Sequence, residues 1–301
     1  METTAGPVTA PFHPFIALAL GVVAVSTGAI FARMADAPAL VIAAYRVGLA
    51  TVVLLPLALL RARNEITRLK MRDLKLAGLS GFFLALHFAT WISSLDYTSV
   101  ANSVVLVNTN PLWVGVLTPL MTKERIRPVV AVGIGLSVVG GIIIGAGDFA
   151  VGGKALVGDV LALAGSVCAA CYLLLGRNLR QRLSLLAYIC LCYGSAAVIL
   201  WAAVLMLQLP VSGFSASTYG CFLALALFTQ LVGHSSYNWA LRWLSTHMIA
   251  VSLLGEPVGA TLLAYWLFGE GLTWGKLFGG LLILAAIYLV AKNESPRAKR
   301  S

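Results

Sequence analysis

On a window of about 19 residues, ten apolar stretches run along the chain, separated by short polar segments. They lie near Pro14 to Phe31, Leu40 to Leu60, Leu74 to Leu95, Ala101 to Met121, Val129 to Gly147, Leu156 to Leu175, Leu183 to Leu207, Tyr219 to Ala240, His247 to Phe268 and Leu277 to Ala291. About 20 apolar residues in a helix cross the hydrocarbon core of a bilayer, so the pattern predicts an all-α membrane protein with ten transmembrane helices. Met1 to Phe12 carries no Lys or Arg, and no small-residue cleavage site precedes a soluble mature chain. The first stretch is therefore expected to be a membrane span and not a cleavable signal peptide.

Composition sharpens this. Of 301 residues, 60% are hydrophobic and only 11% charged, against roughly a quarter charged in soluble domains, and mean hydropathy is +0.93. No polar stretch is long enough for a separate soluble domain. The net charge of +10 would suggest nucleic acid in a soluble chain, but its distribution says otherwise. With the N-terminus in the cytoplasm, 17 of the 21 basic residues fall in inside loops and the C-terminal tail, among them Arg61, Arg127, Arg177, Arg180, Arg182 and Arg242. Arg33, Lys154 and Lys276 fall outside, and Arg46 lies within the second span. The positive-inside rule then predicts an even number of spans with both termini cytoplasmic, and no nucleic-acid partner. Cys168, Cys171, Cys190, Cys192 and Cys221 all sit in apolar runs, which indicates neither a disulfide framework nor a thiolate metal site.

The chain also resembles itself. At an offset of 146 residues, Leu95 meets Leu241, Ser99 meets Ser245, Pro111 meets Pro257, Glu124 meets Glu270 and Gly133 meets Gly279, without a gap. Five spans per half is an odd number, so the second half enters the membrane from the opposite side. The expected domains are two inverted five-helix repeats, 1–150 and 151–301. Inverted repeats with a midplane site between them are typical of secondary transporters.

Longer stretches carry a family likeness. SLDYTSVANSVVLVNTNPLWVGVLTPLMTKERI followed by VGIGLSVVGGIIIG, and ALRWLSTHMIAVSLLGEPVGATLLAYWLFGEGL followed by FGGLLILAAIYLV, resemble the two copies of the repeat signature of EamA-type members of the drug/metabolite transporter superfamily. Arg46 in AAYRVGLA resembles that family's second-helix arginine. The resemblance covers nearly the whole chain. It implies a ten-helix exporter with a central cavity, similar to bacterial exporters of amino acids and other small metabolites. His87 stands where some of these carry an aromatic cavity residue, and Asn110 where an aromatic is expected before the proline.

The residues themselves suggest where a substrate binds. Proline inside a helix frees the carbonyl four residues earlier, here those of Val107 and Leu253, and makes Pro111 and Pro257 candidate hinges. Polar side chains gather beside them: Asn102, Asn108, Thr109 and Asn110 in the fourth stretch, Ser252 and Glu256 in the ninth. An ionisable group at the bilayer centre is a functional candidate by default. Glu256 is expected to bind a substrate ammonium or exchange a proton, the alternative being a packing role beside the fourth helix. Ser80, His87, Trp91 and Ser94 share one face of the third helix, and Gln230, His234, Tyr237 and Asn238 one face of the eighth. His87, Trp91, His234 and Tyr237 are the expected cavity contacts. Arg46, about two turns from its helix end, is expected to snorkel to the outer interface or, alternatively, to attract a substrate carboxylate there. Glu124 and Glu270 read as loop anchors, and Gly133, Gly140, Gly141, Gly275, Gly279 and Gly280 as helix-packing positions.

Enzyme strings are weaker. Gly78-Leu79-Ser80-Gly81 matches the GxSG of intramembrane serine proteases, for which only His234 could be the base, because His87 is about 10 Å along the helix from Ser80. Gly145-Ala146-Gly147-Asp148 matches an intramembrane aspartyl-protease string but lacks its second aspartate. No HExxH, Walker or dinucleotide motif occurs, so no metal or cofactor is expected. The expected function is export of small metabolites, amino acids above all, across the inner (plasma) membrane by alternating access. Lipophilic cations or drugs are the alternative cargo and an intramembrane protease the remote alternative. The bilayer and a small molecule are the expected partners, in a monomer or weak homodimer.

Overall fold

Each apolar stretch becomes a helix, and local chemistry sets its ends. In the computed structural model, which describes residues 10–98, 100–121, 126–145, 153–268 and 271–294, α1 runs Pro14–Met34 with a break at Thr27. It is followed by α2 (Ala39–Arg61), a short helix Arg63–Thr67, and α3 (Met71–Ser94). Helix α4 comes in two pieces, Val100–Val107 and Asn110–Met121. Then follow α5 (Pro128–Gly145), α6 (Lys154–Arg180) and α7 (Leu185–Met206). Helix α8 (Ala216–Ala240) has a π-helical middle, Leu225–His234. Helix α9 is Thr246–Leu253 and Gly255–Phe268, and α10 is Trp274–Lys292. Proline opens α1 and α5, where its missing N–H would have had no helical partner. Ser184, Ser215, Ser245 and Thr273 cap α7, α8, α9 and α10, each side-chain oxygen accepting a first-turn N–H.

Among the described residues, nine of these stretches are long and apolar enough to cross a membrane, and α5 is a shorter apolar helix. The packing follows a definite plan. Helix α3 lies along α6 and α1 along α8; α2 packs on α7, and α5 on α10; α4 contacts α6 and α1 contacts α9. The α5–α10 seam runs over glycines. A methyl group added at Gly140 would lie 2.6 Å from the carbonyl oxygen of Gly279, and one at Gly279 2.5 Å from that of Gly140. The backbones touch there as small residues permit in lipid.

The helices are apolar on their outer faces as well as in the core, and the buried polar side chains sit in pockets within that apolar core. Trp266 and Trp274 are 85% and 87% exposed, and Leu60, Leu120 and Leu281 join them on the surface, while Arg46, His87, Asn102, Asn108, Gln230, Asn238 and Glu256 are buried. An apolar exterior over an apolar core, with the few polar side chains turned inward, is what a hydrocarbon solvent selects. All five cysteines are free thiols.

Two sequence expectations are corrected. Helix α6 runs on to Arg180, so Arg177 and Arg180, expected in an inside loop, are buried within the bundle. Arg177 donates to the carbonyls of Leu241 and Leu244, and Arg180 to those of Asn238 and Leu183. These carbonyls end helical turns and need donors, which is what draws the guanidinium groups inward. Arg46 does not snorkel. It is 1% exposed, because the face of α2 that carries it also carries Ala43, Ala44, Val47 and Ala50, all fully buried against neighbouring helices. Glu124, Glu270, Ser99 and the Ala146-Gly147-Asp148 part of the aspartyl-protease string lie outside the described residues.

Candidate functional site

The site begins with two broken helices. Pro111 and Pro257 stand in the first turns of Asn110–Met121 and Gly255–Phe268. Having no N–H, each leaves the carbonyl four residues earlier without a helical partner, and the helix stops there, at Val107 and at Leu253. Side chains add a second bond to neighbouring carbonyls that already accept backbone N–H groups: Asn108 Nδ2 donates to Val104 O (2.8 Å) and Thr109 Oγ1 to Leu106 O (2.7 Å). Val107 and Leu253, 146 positions apart, both border one internal cavity.

That cavity gathers side chains from seven helices. Helices α1 and α2 supply Val25 and Arg46, α3 supplies His87 and Trp91, and α4 supplies Asn108 and Asn110. Opposite them stand Tyr172 and Leu173 of α6, His234 and Tyr237 of α8, and Glu256 of α9. Its volume is ≈ 40 Å³, room for roughly three or four waters and far below the few hundred Å³ of a small-molecule pocket. A metabolite enters only if the helices part. Two larger grooves, ≈ 520 and ≈ 560 Å³, are lined almost wholly by apolar side chains and offer little to orient a polar ligand.

Hydrogen bonding fixes part of the cavity wall and leaves the rest unpaired. His87 Nδ1 lies 2.9 Å from Gly165 O. A carbonyl only accepts, so Nδ1 carries its proton there and Nε2 is the nitrogen left for a ligand. The approach depends on Gly165, since a Cβ would lie 3.0 Å from Thr90 Oγ1. The His87 ring stacks on Trp91 at 6.0 Å, and His234 packs among Phe88, Tyr172 and Tyr237. Glu256 Oε2 accepts from Asn108 Nδ2 at 3.3 Å, joining α9 to α4. Arg46 Nε donates to Gln230 Oε1 at 2.9 Å, and the guanidinium lies 4.0 Å over the Phe88 ring. Five buried polar atoms on the cavity residues have no protein partner: Arg46 Nη1, Trp91 Nε1, Asn110 Oδ1, His234 Nδ1 and Tyr237 Oη. Buried polar groups are normally satisfied, so these five atoms are open to a water or a polar ligand.

Of the eight side chains expected to contact substrate, seven border the cavity: His87, Trp91, Asn108, Asn110, His234, Tyr237 and Glu256. Asn102 does not. It lies six residues before Asn108, about 9 Å along the helix, and its Nδ2 faces Thr98 Oγ1 at 3.5 Å. The two predicted polar stripes divide. Ser94 bonds Ser103 (2.6 Å), and Asn238 donates to the hydroxyls of Tyr172 (2.5 Å) and Tyr193 (3.0 Å). Ser80, set beside His234 in the protease alternative, instead bonds the Tyr188 hydroxyl (2.8 Å). Sequence reasoning missed Tyr172, which nothing in CAACYLLLG distinguishes, and the π-helical turns that carry Gln230 and His234. It also left Arg46 outside the site, although the small residues around it could have signalled a packed face. Among the described residues no group of three or more His, Cys, Asp or Glu side chains could hold a metal ion.

The sequence matches the model of the EamA-like transporter family over residues 14–146 and 156–292. The chain belongs to this family. Curated relatives agree. One, an uncharacterized transporter of Archaeoglobus fulgidus, is 26% identical over 75% of this chain and 81% of its own. Another, an uncharacterized transporter of Bacillus subtilis, is 23% identical over 81% of this chain and 82% of its own. A solved crystal structure superposes with a TM-score of 0.74 over 93% of this chain and 96% of that one, at 18% identity, a likeness of fold. This EamA-family chain is thus a multi-pass membrane transporter.

Proposed function

We propose that this transporter exports small metabolites, amino acids above all, across the cell (inner) membrane by alternating access. The reading has ten spans in two inverted repeats, 1–150 and 151–301, with both termini cytoplasmic. One observation carries it: residues of seven helices line one small cavity at the break points of α4 and α9, and five of these residues have an unpaired buried polar atom.

Pseudo-symmetry supports the repeat. The family match falls into two segments. Exchanging each helix for the one five positions on turns the α1–α8 contact into α6–α3 and the α1–α9 contact into α6–α4, both of which occur. Helix α5, 18 residues long, spans about 27 Å, enough for the tenth crossing. The exchange also relates two clasps. Arg33 of α1 donates to Leu95 O, and Arg177 of α6 donates to Leu241 O, with Leu95 and Leu241 exactly the 146-residue pair. In the inverted reading the first clasp lies at the outer end and the second at the cytoplasmic end, so each closes one side of the cavity. Glu256, hydrogen-bonded to Asn108, serves as ammonium ligand or proton carrier; His87, Trp91 and Tyr237 shape the site around it.

The test is purified protein in liposomes loaded with radiolabelled amino acids. Efflux faster than from empty liposomes, abolished by Glu256→Gln, is expected. If no amino acid leaves faster, the substrate class is wrong; normal transport by Glu256→Gln removes its role. The rival cargo, lipophilic cations, is favoured if quaternary ammonium compounds compete and zwitterions do not.

A further inference from the structure

We propose that Arg46 is a carboxylate anchor, so that the cavity selects substrates carrying a carboxylate as well as a cationic group. This rests on the reading of the cavity as the transport site, and it narrows the substrate to zwitterions read at both ends.

The guanidinium has its face and its Nε occupied by neutral partners. Its face lies on the Phe88 ring at 4.0 Å, with the Trp91 ring at 5.8 Å. Its Nε is tied to the neutral amide of Gln230 at 2.9 Å. Rings and an amide orient a guanidinium and partly compensate its charge, but neither neutralises it. Nη1 is buried with no partner. Among the described residues no carboxylate forms an ion pair with Arg46; the pair found is Arg182 with Asp73, remote in function at the helix ends. A guanidinium stays charged in proteins; Glu256 acts on it across the cavity, and burying it with no carboxylate in contact is unfavourable. The missing anion belongs beside Nη1.

Glu256 sharpens the case. It borders the same cavity as Arg46, yet its carboxylate bonds Asn108 and is not paired with the arginine. Had the two charges been placed to stabilise the fold, pairing would satisfy both. Held apart around a cavity, they leave a cationic and an anionic pole for one ligand. A carboxylate at Arg46 gains the planar, charge-assisted geometry that guanidinium groups favour, with the unpaired indole N–H of Trp91 as a further donor on the same wall. An ammonium group then falls to Glu256. A hydrophobic cation lacks the first interaction and meets a like charge instead. Gly28 lies against this end of the guanidinium: a Cβ there would sit 3.9 Å from Arg46 Nη1 and 3.5 Å from Trp91, at ordinary contact distance.

Thermal melting of the purified protein tests the anchor apart from transport. The probes are the twenty amino acids and, for the strongest stabiliser, its decarboxylated amine and its deaminated acid. The amino acid is expected to raise Tm, with the amine weaker by about ten- to a hundredfold in apparent affinity, the loss of a charge-assisted hydrogen bond. Arg46→Gln is expected to lose that discrimination, and Arg46→Lys to recover part of it. Gel filtration and the ligand-free melt report whether the variants fold; if they do not, the wild-type comparison alone decides. Equal stabilisation by amine and amino acid overturns the anchor, as does an unchanged amino-acid response in Arg46→Gln or no response to any amino acid. Stabilisation by amino acids with no efflux from liposomes keeps the anchor and removes the export reading.

Discussion

Replacing Gly140 by alanine probes the seam on which α5 and α10 are held. The added methyl group would lie 2.6 Å from the backbone oxygen of Gly279, 2.9 Å from Ile283 Cγ1 and 3.1 Å from Leu282 Cβ. The nearest atom is backbone, so no rotamer change relieves it and the helices must separate. Overpacking of this kind costs about 1–3 kcal/mol. At roughly 2 °C per kcal/mol for a chain this long, Tm should fall by roughly 2–6 °C. Gly135, in the same helix, provides the opposite case. A Cβ there meets nothing within 4 Å, and replacing a mid-helix glycine by alanine stabilises by about 0.5–1 kcal/mol. Melting of wild type, Gly140→Ala and Gly135→Ala, followed by tryptophan fluorescence in one detergent, separates the two effects. The same substitution should move Tm down at one position and up, by roughly 1–2 °C, at the other. A Gly140→Ala protein as stable as wild type, or two variants shifted alike, would show that α5 and α10 do not touch backbone to backbone.

Two further substitutions bear on the moving parts. Arg177→Met removes the charged donor to Leu241 O and Leu244 O, leaving Leu241 O with Gln181 Nε2 at 3.3 Å, a loss of about 1.5–3 kcal/mol for a hydrogen bond from a charged group. Trypsin should then cut the detergent-solubilised protein faster at exposed basic residues by this end, Arg182 above all, and an unchanged rate would exclude the clasp. Pro257 lies in the first turn of its helical segment, where a missing N–H is tolerated. Pro257→Ala should therefore leave Tm unchanged or higher while slowing efflux, because the restored donor can bond Leu253 O and withdraw it from the cavity; efflux at the wild-type rate would remove the proline from the transport cycle.

Much of this protein follows from one-dimensional pattern. In a bilayer every backbone group must be satisfied within its own segment, so an apolar run of sufficient length becomes a helix, and the ten stretches appear as helices with ends shifted by a few residues. The α4 and α9 breaks were legible for an equally local reason: proline acts on the carbonyl four residues away whatever surrounds it. His87, Trp91, Asn108, Asn110, His234, Tyr237 and Glu256 were legible as cavity-lining residues because polar side chains within apolar spans have few places to go except inward.

What the tertiary structure decided is where longer side chains find their partners. Arg177 and Arg180 looked like loop charges, and it took the approach of α6 to the end of α8 to turn them inward onto free carbonyls. Arg46 looked able to reach the outer interface, and only the packing of α2 against its neighbours closes that route. Its amide partner sits 184 residues away on a π-helical stretch, whose five-residue bonding alters the face presented by Gln230 and His234. Helical periodicity carries no information about such a step. The apolar pattern determines which segments enter the membrane, since lipid acts on each segment separately; the pairing of buried charges depends on which segments meet, and only the assembled bundle sets that.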